Sequence, residues 1–264
     1  MNKAIGVMDS GVGGLTVIKE LMRQLPNEKI IYFADERRCP YGDKSQNQVR
    51  EFTEEIACFL SAFDIKLLVL ACNTATAASM PELREKLDIP VMGVIQPGSR
   101  SAIQRTNNQK VIVLSTKGTT ESHAYGRKIT RINRDVEVTE FACAPFVPLV
   151  ESGRYHDEDE VDKCVNEVLA TLKEHEADTV ILGCTHYPLI SHSISKFFDY
   201  NKHIVDSGYE TAREVSTFLD FHDMLNTEKP EKHKFYINGD YHRFEETLNK
   251  WIPNMRYTIE SVDL

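Results

Sequence analysis

From end to end, the chain alternates short apolar runs with stretches in which apolar residues recur every three or four positions. The runs at 4–8, 30–34, 67–71, 90–94, 110–115, 136–142, 179–183, 203–206 and 234–238 predict strands. Between them, Leu15, Ile18, Met22 and Leu25 fall at helical spacing, as do Leu189, Ile190, Ile194, Phe197 and Phe198. Strands that are apolar throughout, rather than at alternate positions, expect burial on both faces, as in a parallel sheet covered by helices on either side. The pattern therefore predicts the α/β class. The polar stretch from Asn226 to Lys234 reads as an exposed loop, and the acidic run from Asp157 to Glu160 as a solvated helix start. No low-complexity tract or Pro/Gly-rich linker marks a domain boundary.

Two segments resemble each other, LLVLACNTA at 67–75 and TVILGCTHY at 179–187. Each is an apolar strand, then a small residue, a cysteine and side chains able to hydrogen-bond. A weaker echo pairs IGVMDSGVGG at 5–14 with VIVLSTKGTT at 111–120. The pattern suggests an internal duplication, with two similar α/β halves facing each other.

Composition narrows the partners. At 264 residues, 41% hydrophobic and 27% charged, the chain has the make-up of a globular protein of one large domain or two modest ones. A net charge of -9 argues against nucleic acid, which wants a clustered basic face, but leaves a small anion open. The first residues lack a basic start followed by an apolar stretch, and the longest apolar run, Leu67 to Cys72, is too short to span a bilayer. A cytoplasmic protein without a membrane partner is expected. The six cysteines, at 39, 58, 72, 143, 164 and 184, form no CxxC pair, so free thiols are expected and neither a disulfide framework nor a zinc site. Cys58 and Cys164 fall within helical apolar patterns and read as small buried hydrophobes.

In open parallel sheets a ligand sits beyond the carboxyl ends of the strands. The residues found there are Asp9-Ser10, Asp35, Cys72-Asn73-Thr74, Ser115-Thr116 and Cys184-Thr185-His186. Two thiols from facing halves can flank a small molecule, one removing a proton as thiolate while the other delivers one to the opposite face. That is the geometry of racemisation. A free thiol titrates near ~8.5, so neighbours must set its protonation. Asp9 is placed to serve Cys72, and His186 to serve Cys184. Gly11, Gly13 and Gly14 match neither a P-loop nor GxGxxG; a tight strand-to-helix turn and an anion cradle account for them equally well.

With DSGVGGLTV at 9–17, RCPYG at 38–42, ACNTA at 71–75, FVPLVE at 146–151 and GCTHYP at 183–188, the chain resembles the glutamate racemases. The resemblance implies interconversion of L- and D-glutamate without pyridoxal phosphate or metal, with D-glutamate destined for bacterial peptidoglycan. It implies two α/β domains with mainly parallel sheets, related by pseudo-twofold symmetry, with the site in the cleft. The first domain would be 1–97 plus 208–264 and the second 98–207. Cys72 and Cys184 match the two proton donor/acceptors, the first working on the D-isomer and the second on the L-isomer. Asp9 and His186 match the groups that assist them, and Glu151 an acidic residue near the second thiol. Ser10, Tyr41, Gly42, Asn73, Thr74 and Thr185 match positions that hold substrate, to which Asp9, His186 and, from its strand-end position, Thr116 are added. A homodimer is also implied.

The chain departs from the family's usual pattern where it reads Ser115-Thr116 for Gly-Thr, Gln96-Pro97-Gly98 for Glu-Pro-Gly and ADERRCPYG for GDTARCPYG, changes expected in loops near the cleft. Three rival readings stand beside this one. Aspartate racemases share the CNT motif but tend to follow the second cysteine with Thr-Glu rather than Thr-His. A Cys–His hydrolase would pair Cys184 with His186, although these two residues, at i and i+2 on a strand end, are expected to point apart. A non-catalytic anion-binding protein would use the 9–14 and 115–120 loops and bind without turnover.

Overall fold

In the computed structural model residues 3–264 are described; residues 1 and 2, which the expected first domain includes, lie outside the described residues. Among the described residues ten strands form two sheets. They are β1 (Ala4–Asp9), β2 (Ile30–Ala34), β3 (Ile65–Leu70), β4 (Val91–Gly93), β5 (Lys110–Ser115), β6 (Glu137–Ala142), β7 (Thr179–Gly183), β8 (His203–Asp206), β9 (His233–Ile237) and β10 (Tyr257–Ser261). The first sheet runs β10-β9-β2-β1-β3-β4 and the second β6-β5-β7-β8. Every paired neighbour is parallel. The helices are α1 (Leu15–Gln24), α2 (Gln46–Ser61), α3 (Asn73–Lys86), α4 (Ile95–Arg105), α5 (Lys117–Glu121), α6 (Ala124–Ile132), α7 (Phe146–Glu151), α8 (Glu158–Leu169), α9 (Ser191–Phe197), α10 (Ser207–Phe221) and α11 (Tyr241–Trp251).

The apolar runs are continuous because each sheet is covered on both faces. Ile5 and Val7 of β1 enter one hydrophobic cluster, while Ala4 and Met8 enter another on the opposite face. In β5, Ile112 and Leu114 divide from Val111 and Val113 in the same way. Burying one such side chain stabilises the fold by about 1.5–3 kcal/mol. Helix starts are marked by side chains that satisfy free backbone N–H groups: Ser45 and Gln48 form a capping box on α2, and Asp157 caps α8 as its acidic run predicts.

The strand order is the same in both sheets, β2-β1-β3-β4 in one and β6-β5-β7-β8 in the other. The two segments that resemble each other thus end β3 and β7, and the weaker echo falls on β1 and β5. In each sheet the connections diverge between these two strands, which creates a crevice beyond their carboxyl ends. The chain crosses between the sheets by α4 and α10, which pack against each other. Ile95 and Ala102 of α4 already join the second sheet's cluster, whereas Ala212, Val215 and Leu219 of α10 join the first sheet's. Helices, not linkers, make the crossings, so composition carries no boundary signal. No helix among the described residues is long and apolar enough to cross a membrane.

Several expectations need correction. The edge strand β10 is absent from the sequence reading, because only one of its faces is covered and its pattern, Tyr-Thr-Ile-Glu-Ser, is half polar. The loop read from Asn226 to Lys234 ends earlier: His233 and Lys234 belong to β9, and His233 is buried. Cys58 is exposed rather than buried, since it sits on the outward side of α2 between the inward Ile56 and Leu60. Gln96 is not on a cleft loop; it lies on α4 and donates to Glu214 of α10 at 3.2 Å.

Candidate active site

Cys72 leaves β3 in an extended conformation and caps α3, its sulfur accepting the Ala75 N–H at 3.4 Å. Its S–H points to the Ser10 hydroxyl at 3.8 Å. Burial, reinforced by the nearby Asp9 charge, pushes the thiol up to about 12, so Cys72 rests protonated. Asp9, expected beside Cys72, turns elsewhere. One carboxylate oxygen accepts the Gly11 and Gly14 N–H groups at 3.2 and 2.9 Å, and the other accepts the Thr185 hydroxyl at 3.4 Å. Burial lifts Asp9 to about 6 against the opposing pull of His186 and those two N–H donors. The glycine-rich turn that follows is packed against the other half: a Cβ on Gly13 would collide with the Thr185 hydroxyl and the His186 ring. Its lack of a side chain lets the two halves approach.

On the opposite side, Cys184 follows β7 and its sulfur lies 3.7 Å from His186 Nδ1. This overturns the expectation that residues 184 and 186 point apart. Residues two apart already share one face of a strand, and because the strand ends at Gly183 and His186 takes a helical backbone at the start of a turn, its ring is drawn in toward the sulfur. The other ring nitrogen, Nε2, meets Glu151 Oε1 at 2.6 Å. Burial opposes a charge on His186, but hydrogen bonds to Cys184 and Glu151 and the attraction of their charges outweigh it, lifting the ring to about 10. Glu151 is correspondingly held below the usual carboxylate range: burial would raise it, and His186 and Arg243 more than offset that.

Both thiols line one small cavity of about 20 Å³, together with Ser10, Tyr41, Gly42, Asn73, Thr74, Thr116, Thr185 and His186. Asp9 and Glu151 stand behind this wall, in contact with Thr185 and His186. The space suits about one water molecule, so the walls must separate to admit an amino acid. Asn73 is buried; its side-chain oxygen accepts the Tyr125 hydroxyl at 2.7 Å, while its amide nitrogen has no partner among the described residues. Such an orphan donor is costly unless a ligand satisfies it. The Thr74 hydroxyl meets those of Thr116 and Thr119 at 3.0 and 3.1 Å across the cleft. Tyr41 donates to Asp35, which also receives Arg38 and Asn238. Asp35 therefore anchors the wall without entering it.

An adjoining pocket of about 500 Å³ shares Pro40 and Val147 with the cavity and is lined by Glu36, Cys39, Glu151 and Arg243. Glu36, one of the departures noted above, is lifted to about 7 by burial and by Glu151. Tyr125, Val147 and Arg243 escape the sequence reading. Val147 carries no polar signal, and Tyr125 and Arg243 lie within α6 and α11 rather than directly at a strand end.

Residues 5–215 match the family model described as Asp/Glu/Hydantoin racemase. The chain is similar to the glutamate racemase of Staphylococcus carnosus, strain TM300, at 51% identity over 96% of this chain and 95% of that one. Its fold is similar to the crystal structure of glutamate racemase isoform RacE1 from Bacillus anthracis, with TM-score 0.96, 42% identity and coverage of 99% and 98%. The glutamate racemase of Francisella tularensis, solved in complex with D-glutamate, superposes with TM-score 0.92 at 34% identity over 99% of this chain and 98% of that one.

Proposed function

The chain belongs to the aspartate/glutamate/hydantoin racemase family, and we propose that it interconverts L- and D-glutamate with Cys72 and Cys184 as the two proton carriers. It is an amino-acid racemase, an isomerase. The observation that carries the site assignment is that two thiols, from equivalent positions of two similarly ordered sheets, line one cavity.

We assign the base for L-glutamate to Cys184, whose sulfur has the His186 imidazolium as donor, and the acid to Cys72, which rests as a thiol. The Cys184 thiolate takes the α-proton, the C–H electron pair stays on the α-carbon, and Cys72 gives its proton to the opposite face. Cys184 is then the thiol and Cys72 the thiolate, ready for the reverse passage. The unpartnered Asn73 amide and the Ser10, Thr74, Thr116 and Thr185 hydroxyls are neutral donors suited to the substrate's carboxylates. As part of the same reading, the product is D-glutamate for peptidoglycan, the enzyme is a cytoplasmic homodimer, and the domains divide near Pro97 and Ser207.

Incubation with L-glutamate in D2O, followed by optical rotation and α-proton exchange, tests this. Loss of rotation with deuterium incorporation is expected. Inversion of L-aspartate with glutamate unchanged would move the assignment to an aspartate racemase. Binding without exchange would favour a non-catalytic anion-binding protein.

A further inference from the structure

A chain of contacts runs from the surface of one half to the reactive sulfur of the other. Arg243 lies in the first turn of α11, whose N-terminus is capped by Asp240, on the C-terminal segment that returns to the first sheet. Its Nη2 group donates to Glu151 Oε2 at 2.6 Å and to the Glu151 carbonyl at 2.9 Å. Glu151 is the last residue of α7, where backbone carbonyls lack helical partners, so one guanidinium nitrogen secures both its main chain and its side chain. The other carboxylate oxygen holds His186, which holds Cys184.

We propose that Arg243 is a positioning residue for the second thiol, keeping Glu151 against His186 when the two halves of the cleft close; this rests on the function proposed above. The surroundings make such a clamp necessary. Glu36 and Asp9 both face Glu151 and repel it, and Cys39 lies close by. The Glu151 side chain keeps about a fifth of its surface exposed, so without Arg243 it has water to turn toward. A bare surface ion pair contributes little. This one is different in kind, because it joins elements of the two sheets and its acidic member also carries the imidazolium.

The test uses the full chain as Arg243→Gln, Arg243→Lys, Glu151→Gln and the double variant Arg243→Gln with Glu151→Gln. Racemisation of glutamate is read in both directions, with NMR titration of the His186 ring alongside and thermal midpoints to establish folding. Arg243→Gln should lower kcat/KM about tenfold, roughly one charge-assisted hydrogen bond's worth, with partial recovery in Arg243→Lys. In the Glu151→Gln background the same change should have no further effect, since Arg243 acts only through that carboxylate. The His186 titration should move to lower pH in Arg243→Gln, a signature that a merely structural pair would not give. Unchanged kcat/KM in Arg243→Gln, an equal loss in both backgrounds, or an unmoved His186 titration would each overturn the inference. Should the wild-type chain fail to racemise glutamate, the proposed function fails, while the His186 titration still decides the role of Arg243.

Discussion

The Nε2 atom of His186 lies 2.6 Å from Oε1 of Glu151, with the imidazole almost wholly removed from water. The ring is charged at neutral pH because Cys184 and Glu151 outweigh the cost of burial and lift it from its ordinary 6.5 to about 10. Between those values the native state holds a proton that the unfolded chain has released. Linkage then requires stability to fall as pH rises. The contribution of this group is complete below about pH 6.5 and disappears as pH passes through about 10. Urea unfolding of the wild type should therefore lose stability across this range more steeply than His186→Asn. Equal slopes in the two proteins would count against a charged His186.

The pairing of Cys72 with Cys184 makes a prediction that thermodynamics constrains. Enantiomers have equal free energy, so kcat/KM must be the same in both directions for any variant, whichever thiol it alters. Only exchange can reveal the two faces. Cys72→Ala keeps Cys184 and should wash deuterium into L-glutamate with retention, while Cys184→Ala should do so with D-glutamate. Each should cut racemisation by about a thousandfold or more, the scale of losing an acid or base. Exchange of the same enantiomer in both variants would break the assignment of one thiol to each face.

Most of the frame was legible because buried parallel strands announce themselves as unbroken apolar runs, as β3 and β7 do. The strand-end rule then found both thiols and most of the cavity wall. What escaped depended on which way a side chain turns. Asp9 follows β1 as expected, yet its carboxylate faces Gly14 and Thr185, leaving Ser10 as the partner of Cys72. His186 meets Cys184 because residues two apart share a face and the turn after Gly183 draws the ring closer to the sulfur. Tyr125 and Arg243 reach the site from helices distant in sequence, and neither periodicity nor motif spacing encodes such a return.

Asn73 offers a test of substrate recognition. Its amide nitrogen is buried without a partner among the described residues, while Tyr125 fixes the other end of the group by donating to its oxygen. Asn73→Asp replaces that donor with an acceptor facing the substrate's carboxylate, so KM should rise by at least about a hundredfold, the scale of leaving charged groups unpaired. Tyr125→Phe removes only the orienting bond and should raise KM about tenfold with kcat less affected. A KM unchanged in Asn73→Asp would remove Asn73 from the binding site.

Stability, by contrast, should depend on a pair far from the cleft. Lys66, at the start of β3, places its ammonium 2.7 Å from Glu28, and both side chains are buried. The same ammonium donates to Asn226 Oδ1 at 3.0 Å and to the Met224 carbonyl, and Glu28 accepts the Asn226 N–H at 2.8 Å. The pair thereby pins the segment that follows α10 to the first sheet. Lys66→Met should cost about 3–5 kcal/mol, because it strands a buried carboxylate. Adding Glu28→Gln should restore much of the loss, since glutamine is neutral yet keeps an acceptor for Asn226. Denaturant unfolding of the single and double variants checks this, with racemisation measured at a temperature where each is folded. If the double variant is no more stable than Lys66→Met alone, the cost lies in packing around the lysine stem rather than in the unpaired charge.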